Sequence, residues 1–286
     1  MRQIAVVSGK GGTGKTTVLA SWAALARHAV LADCDVDAAN LHLLLRPEVR
    51  EAHDFFGGKV AVRDDSLCAR CGECERRCRF GAITPRDVDV LACEGCGLCV
   101  LACPRGALRL EPALSGRYFL SDTPYGPMSH ARLSPGAENS GRLVTIVRKQ
   151  AEDVAKLLGR DLILLDGPPG IGCTAVATVT DVDLAVIVIE PTLSGIHDLQ
   201  RVAALARGLR VPTALIINKA DINPANTAQI EEFGRVQGIP ILALLPFDSV
   251  VTRAISACTP VVEYDDGAVS RGIREAWEAA QALVAR

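Results

Sequence analysis

"SGKGGTGKTT", residues 8–17, decides how the chain is read. It holds the pattern Gly9-x4-Gly14-Lys15-Thr16. The apolar run "RQIAVVS" (2–8) precedes it, and "KTTVLASWAALARH" (15–28) follows it with helical spacing. A buried strand, a glycine loop and a helix in that order make a cradle for the phosphates of a nucleotide triphosphate. Gly9 opens the pattern, and Gly11, Gly12 and Gly14 let the backbone turn its N–H groups toward phosphate oxygens. Lys15 is placed to neutralise the β- and γ-phosphates, and Thr16 to ligate Mg²⁺ through its hydroxyl. The alternative is a glycine-rich turn with Lys and Thr present by chance; the agreement of motif and context argues against it.

Outward from the loop, apolar runs and helical patterns alternate. "AVLADCD" (29–35) reads as a second strand with acids at its C-terminal end. "RDLILLD" (160–166), "DLAVIVIE" (183–190), "PTALIINKAD" (212–221) and "IPILALLPFD" (239–248) read as further strands. Helical spacing occupies 138–159, 195–208, 224–237 and 267–285. Six or seven strands alternating with helices predict an α/β fold, a mostly parallel sheet with helices on both faces. Hydrophobic residues make up 49% of the chain, enough to bury a full core, while aromatics are only 4%. With 31 basic and 33 acidic residues, no nucleic-acid or membrane surface is expected over the whole chain. No export signal and no membrane-length apolar run are read, so the expectation is a cytoplasmic protein.

The alternation breaks between about 59 and 114. Eight of the eleven cysteines lie there. Shifted by 25 residues, Cys68, Cys71, Cys74 and Cys78 fall on Cys93, Cys96, Cys99 and Cys103, and Gly72 falls on Gly97. This internal repeat predicts a small metal-stapled unit inserted at 59–114 between the two parts of the nucleotide domain, 1–58 and 115–286. Both runs match the spacing of a bacterial two-cluster ferredoxin, in which the fourth cysteine of each run ligates the other cluster. One [4Fe–4S] cluster is then assigned to Cys68, Cys71, Cys74 and Cys103, and the second to Cys78, Cys93, Cys96 and Cys99. Two Cys₄ zinc sites are the competing reading, but zinc uses separate pairs of cysteines rather than four in a row. Cys78 is followed by Arg79 instead of the usual proline. Arg76, Arg77 and Arg79 crowd that cluster, either offsetting its charge or forming a docking patch for an acidic redox partner.

The loop carries a second lysine, Lys10, that a simple phosphate loop does not need. With it, the chain resembles the MinD/Mrp branch of P-loop ATPases, which includes the nitrogenase iron protein. The resemblance covers 1–50 and 117–286, and the whole chain resembles members carrying an inserted ferredoxin domain. It implies that Lys10 reaches the partner's nucleotide across a homodimer interface. "DCDVDAANLH" (33–42) resembles switch I: Asp33 helps hold the Mg²⁺ shell and Asp35 orients the attacking water. A solvated acidic loop is the plainer alternative. "DGPPG" (166–170) resembles switch II, with Asp166 on Mg²⁺ through water and Gly170 sensing the γ-phosphate. "NKAD" (218–221) and "PFD" (246–248) resemble base-side loops, so Asn218, Asp221 and Pro246 join Thr13 and Thr17 in the nucleotide-binding set. Asn-Lys-x-Asp also reads guanine in GTPases; the glycine loop and Lys10 favour ATP. Lys10, Lys15 and Asp35 form the catalytic set.

Three cysteines lie outside the insert. Cys34 and Cys258 read as small buried apolar residues. Cys173 lies seven residues after Asp166, where the nitrogenase iron protein has a bridging-cluster cysteine, but the region near Glu138 lacks the companion. His42 and His197 read as capping or surface residues. The terminal helix, with Ile273, Trp277, Ala280 and Val284 on one face, is expected to dock on the core rather than on a membrane. Switch I ends just before the insert, so nucleotide state is expected to move it. The leading functional expectation is an ATP-gated electron donor to a redox partner. A cluster or metallocofactor carrier is second, and a MinD-like positioning ATPase with structural clusters is third.

Overall fold

The runs rich in Val, Ile and Leu become strands buried on both faces, as a helix-covered parallel sheet requires. The computed structural model describes residues 1–137 and 140–285. Strands are β1 (Arg2–Ser8), β2 (Val30–Asp33), β3 (Glu48–Arg63), β4 (Leu108–Thr123), β5 (Gly126–Leu133), β6 (Leu162–Pro169), β7 (Leu184–Ile189), β8 (Thr213–Asn218) and β9 (Ile241–Leu245). Helices are α1 (Lys15–Ala26), α2 (Leu41–Leu45), α3 (Glu73–Arg77), α4 (Leu98–Ala102), α5 (Ser140–Leu157), α6 (Cys173–Val179), α7 (Leu193–Gly208), α8 (Pro224–Gln237), α9 (Val250–Ser256), α10 (Val261–Tyr264) and α11 (Ala268–Val284). They form a nine-stranded sheet in the order β3-β4-β5-β2-β6-β1-β7-β8-β9. The pairs β5–β2, β2–β6, β6–β1, β1–β7, β7–β8 and β8–β9 are parallel.

The sequence reading of six or seven strands is corrected here. It missed β3, β4 and β5; only the end of β3 and the start of β4 fall within the 59–114 region read as breaking the alternation. In β3 the first seven residues are all exposed, so no apolar alternation marks them. The chain divides into two compact units. The first comprises Met1–Ala52, Tyr118–Arg132 and Gly141–Arg286; the second comprises His53–Arg117 and Leu133–Ser140.

The core of the first unit packs Ile4, Val6, Leu19, Leu164, Val186 and Ile216 with the face of α11. Ile273, Trp277 and Ala280 are buried there, and Val284 is partly buried against the same core. Trp277 meets Trp22 with ring centroids 5.4 Å apart and planes tilted by 49°. Trp22 Nε1 donates to Ile273 O at 3.2 Å. The apolar face of the terminal helix is therefore spent on the core. Among the described residues no helix is long and apolar enough to cross a membrane.

The second unit shows its repeat in the backbone. Helices α3 and α4 both start after a left-handed glycine, Gly72 (φ 74°) and Gly97 (φ 77°). Cys78 and Cys103 follow the two helices with nearly equal torsions, φ −78°, ψ 101° and φ −77°, ψ 111°. Its small apolar cluster is Ala61, Ile83, Val88, Cys99 and Leu108.

Candidate functional site

Strand β1 ends in the glycine loop, and α1 begins at Lys15, which is 6% exposed. Ser8 Oγ donates to Lys10 O at 2.6 Å, and Gly170 N donates to Ser8 O at 2.8 Å. The start of the loop and the end of β6 are thus tied together. Gly14 takes φ 96°, and a Cβ there would lie 2.5 Å from Asn218 Nδ2. Only glycine suits both that backbone and that close approach.

Parallel pairing of β2 with β6 sets Asp33 directly beside Asp166. Both are buried. Thr16 Oγ1 donates to Asp166 Oδ2 at 2.7 Å. Asp166 Oδ1 is buried with no partner among the described residues. Asp33 accepts from the backbone N–H groups of Asp35 (3.2 Å) and Leu41 (3.3 Å). Burial pushes the Asp166 carboxyl up to about 7, against the pull of Lys15 and of the Thr16 hydroxyl. Burial, then the neighbouring Asp166, raise Asp33 well above the usual carboxylate range. Burial also raises Asp35, with Lys15 opposing it. An all-oxygen donor set with one orphaned carboxylate oxygen fits a hard divalent cation such as Mg²⁺. Its charge would return both acids to the ionised form.

On the base side, Asn218 ends β8. Its Nδ2 donates to Thr13 O at 2.8 Å, and its Oδ1 accepts from Lys219 N at 3.0 Å. Asp221 Oδ1 accepts from Phe247 N at 2.7 Å, which joins "NKAD" to the loop of Pro246 and Phe247. Sequence reasoning missed two residues here, Glu190 and Thr192. Lys10 Nζ donates to Thr192 Oγ1 at 3.2 Å and lies 3.6 Å from Glu190 Oε2. A single Glu and a single Thr after a strand carry no spacing signal, so nothing in the sequence marks them.

In the second unit the eight clustered cysteines gather around two cavities. One, of about 90 Å³, is lined by Cys68, Cys71, Cys74 and Cys103. The other, of about 210 Å³, is lined by Cys78, Cys93, Cys96 and Cys99. Each therefore takes three cysteines from one repeat and the fourth from the other. Backbone amides point at two of the sulfurs: Ala61 N to Cys93 Sγ at 3.4 Å, and Ala107 N to Cys103 Sγ at 3.3 Å. Among the described residues no group of three or more His, Cys, Asp or Glu closes on the position of a single metal ion. The thiols of each cavity ring a space larger than one ion. Four sulfurs and inward N–H groups fit an iron–sulfur cluster by the chemistry of the donor set.

The remaining expectations fall as follows. Arg76 and Arg77 are both paired with Glu73, and Arg79 sits 4.7 Å over the Phe80 ring, so their charges are partly committed. Cys34 is buried and Cys258 half-buried, while Cys173 is exposed at the start of α6. Glu138 lies outside the described residues. His42 stacks on His130, ring centroids 6.5 Å apart and planes 9° apart. His197 is 71% exposed beside Asp198.

Comparison with known proteins places this geometry. The family described as CobQ/CobB/MinD/ParA nucleotide binding domain matches residues 4–261. The uncharacterized protein MJ0578 of Methanocaldococcus jannaschii is 30% identical over 280 residues, covering 96% of this chain and 95% of that protein. A protein of Chlorella vulgaris named as a septum site-determining MinD is 26% identical, covering 91% of this chain and 77% of its own. Among solved structures, MinD complexed with Mg-ADP from Pyrococcus horikoshii superimposes with a TM-score of 0.61 at 20% identity, covering 99% of this chain and 96% of that one. MinD in the MinC:MinD complex of Aquifex aeolicus gives 0.58 at 20% identity, covering 99% and 96%. These findings correct the expected function. Curated relatives spanning 91% of the chain are named as septum site-determining MinD, and solved MinD, ParA and McdA structures share its fold, so the electron-donor reading, and the carrier reading behind it, are overturned. The error lay in weighing a local cysteine insert above the frame that carries it. That frame, from the strand before the glycine loop through α9, is the one the family shares: the chain belongs to the CobQ/CobB/MinD/ParA nucleotide binding domain family and is one of its P-loop ATPases.

Proposed function

We propose that this chain is a MinD-type switch: ATP closes two copies into a homodimer, hydrolysis opens it, and the closed form docks a partner protein whose position it controls. The observation that carries this reading is Lys10. Its ammonium rests on Glu190 and Thr192, while Lys15 already serves as the loop's own phosphate cation. A lysine held beside the loop is available to a second chain. The MinD of Aquifex aeolicus forms a complex with MinC, and a protein partner of that general kind suits this chain.

Within each site, Lys15 neutralises the β- and γ-phosphates, and Thr16, Asp33 and Asp166 hold the Mg²⁺ shell. Asp35 orients the attacking water. Gly170, whose N–H donates to Ser8 O, exchanges that acceptor for the γ-phosphate. Lys10 of the partner adds positive charge where it develops on the transferring phosphate, so it acts on rate more than on affinity.

The second unit is read as a seat for two [4Fe–4S] clusters, one on Cys68, Cys71, Cys74 and Cys103 and one on Cys78, Cys93, Cys96 and Cys99. Their contribution is structural cross-linking. The unit's apolar cluster of Ala61, Ile83, Val88, Cys99 and Leu108 is too small to hold it unaided.

Steady-state ATPase measured against protein concentration tests the switch. Specific activity should rise with concentration as dimers form. Lys10→Ala should keep most MgATP affinity and lose hydrolysis at every concentration, and Lys15→Ala should lose MgATP binding itself. A Lys10→Ala chain that hydrolyses ATP at the parent rate as a monomer would overturn the reading.

A further inference from the structure

At the C-terminal end of β7 one carboxylate faces lysines from two different loops of the nucleotide site. Glu190 Oε1 lies 2.5 Å from Lys219 Nζ, and Oε2 lies 3.6 Å from Lys10 Nζ. The Glu190 side chain is 14% exposed, each lysine 32%. Thr192 Oγ1, which accepts from Lys10, also accepts from Gly195 N at 3.0 Å and so caps α7. The backbone of 190–192 is held in place. A Cβ at Gly195 would lie 2.5 Å from Glu190 O, and Asn226 Nδ2 donates to Pro191 O at 3.0 Å. The backbone that carries the carboxylate is held, and the long lysine side chains are what can leave it.

We propose that Glu190, with Thr192, latches Lys10 within its own chain when no nucleotide is bound, and that Lys219 keeps Glu190 neutralised once Lys10 departs for the partner's phosphates. This rests on the role in the partner site given to Lys10 above. The two contacts are unequal. At 2.5 Å the Lys219 pair is a charge-assisted hydrogen bond; at 3.6 Å the Lys10 pair is an ion contact without one. Two ammonium groups on one carboxylate leave an excess positive charge, which loosens the more weakly held lysine. Its departure leaves a neutral Glu190–Lys219 pair. Without Lys219, the same departure would strand a poorly solvated carboxylate, at a much larger cost. The latch therefore holds against thermal opening and yields to the phosphates of a partner's ATP. Glu190 acts as a positioning residue, setting how readily the dimer closes.

The test compares the parent, Glu190→Gln and Lys219→Met chains. Specific ATPase is followed against protein concentration at saturating MgATP, and MgATP affinity is measured separately for each. Glu190→Gln frees Lys10 and should lower the protein concentration giving half-maximal activity by about threefold or more. Lys219→Met leaves Lys10 as the cation of Glu190 and should raise that concentration. The opposite signs distinguish a latch from general damage, which would weaken MgATP binding in both variants and move both midpoints upward. Should either variant fail to fold, Glu190→Asp, which keeps the charge and shortens the reach, should also lower the midpoint. Midpoints that stay put or move in the same direction overturn the latch while leaving the dimer intact. A parent whose activity ignores concentration, together with an active Lys10→Ala chain, overturns the role of Lys10 and the latch with it.

Discussion

Asp166 is the residue at which stability and function oppose each other. Burial raises its pKa to about 7 in the folded chain, against about 3.9 when unfolded. Between those values the folded state binds the extra proton. The nucleotide-free protein is therefore most favoured below about pH 4 with respect to this group, and loses that stability as pH rises through 7. Asp166→Asn keeps an oxygen that accepts from Thr16 and removes the charge. It should stabilise the nucleotide-free chain by roughly 2–4 kcal/mol at pH 8 and by roughly 1 kcal/mol at pH 5, where the folded carboxyl is protonated but the unfolded one is not. The same variant should lose Mg²⁺-dependent hydrolysis. Denaturant titrations at the two pH values check the first part, and a variant less stable than the parent at pH 8 would contradict it. Residue types at fixed spacing made Lys15 and Thr16 legible in the sequence, whereas the roles expected of Lys10 and Asp166 came only from the family resemblance. The adjacency of Asp33 and Asp166 was not legible, because it depends on β2 and β6 being neighbours in the sheet. Glu190 was invisible for the same reason: its meaning comes from two lysines 180 and 29 residues away in sequence.

Among the elements, those buried on both faces could be read almost to their ends. The strands β1, β7 and β8 announce themselves as apolar runs, ended by Gly9, by Glu190-Pro191 and by Asn218, and α1 and α8 as helical patterns opening after Gly14 and at Pro224. Strands β3 to β5 did not, because much of β3 and β4 faces solvent and carries charged residues. The terminal helix α11 was legible as amphipathic, though its partner was not: Trp22 lies 255 residues away, and only the fold brings it to Trp277. Trp277 is 5% exposed and sits where α11 closes over α1. Trp277→Ala should cost about 3–5 kcal/mol, through lost burial and the cavity left behind. In a chain of this size that lowers the melting temperature by roughly 10 °C. MgATP affinity measured well below the new melting temperature should change little, since the loop of Gly9 to Thr16 makes its bonds to Ser8, Asn218 and Asp166 instead. A variant that melts with the parent would mean that α11 adds nothing to the core.

For the whole molecule, the cysteines ask for a test of wiring as well as of content. The chain purified without oxygen should hold about eight iron and eight sulfide per chain. Stoichiometric zinc without sulfide, or four iron, would contradict the two-cluster reading. The cavities make a sharper demand, because each takes its fourth cysteine from the other repeat. Cys103→Ser should remove the cluster that also uses Cys68, Cys71 and Cys74, leaving about four iron. Adding Cys68→Ser to it should then remove nothing more, since both changes strike one cluster. Cys68→Ser with Cys78→Ser should remove both clusters, though these two residues lie in the same repeat. Wiring confined within each repeat reverses the two outcomes: the first pair would empty the unit, and the second would leave about four iron. The second unit's small apolar cluster adds a consequence for folding. The chain lacking both clusters should lose protease resistance within 53–117 while one cluster still partly protects it, because each cluster draws cysteines from both repeats and so joins them. If the doubly emptied chain stays as resistant there as the loaded one, the clusters are not what holds the unit together, and the structural role proposed for them fails even with the iron count correct.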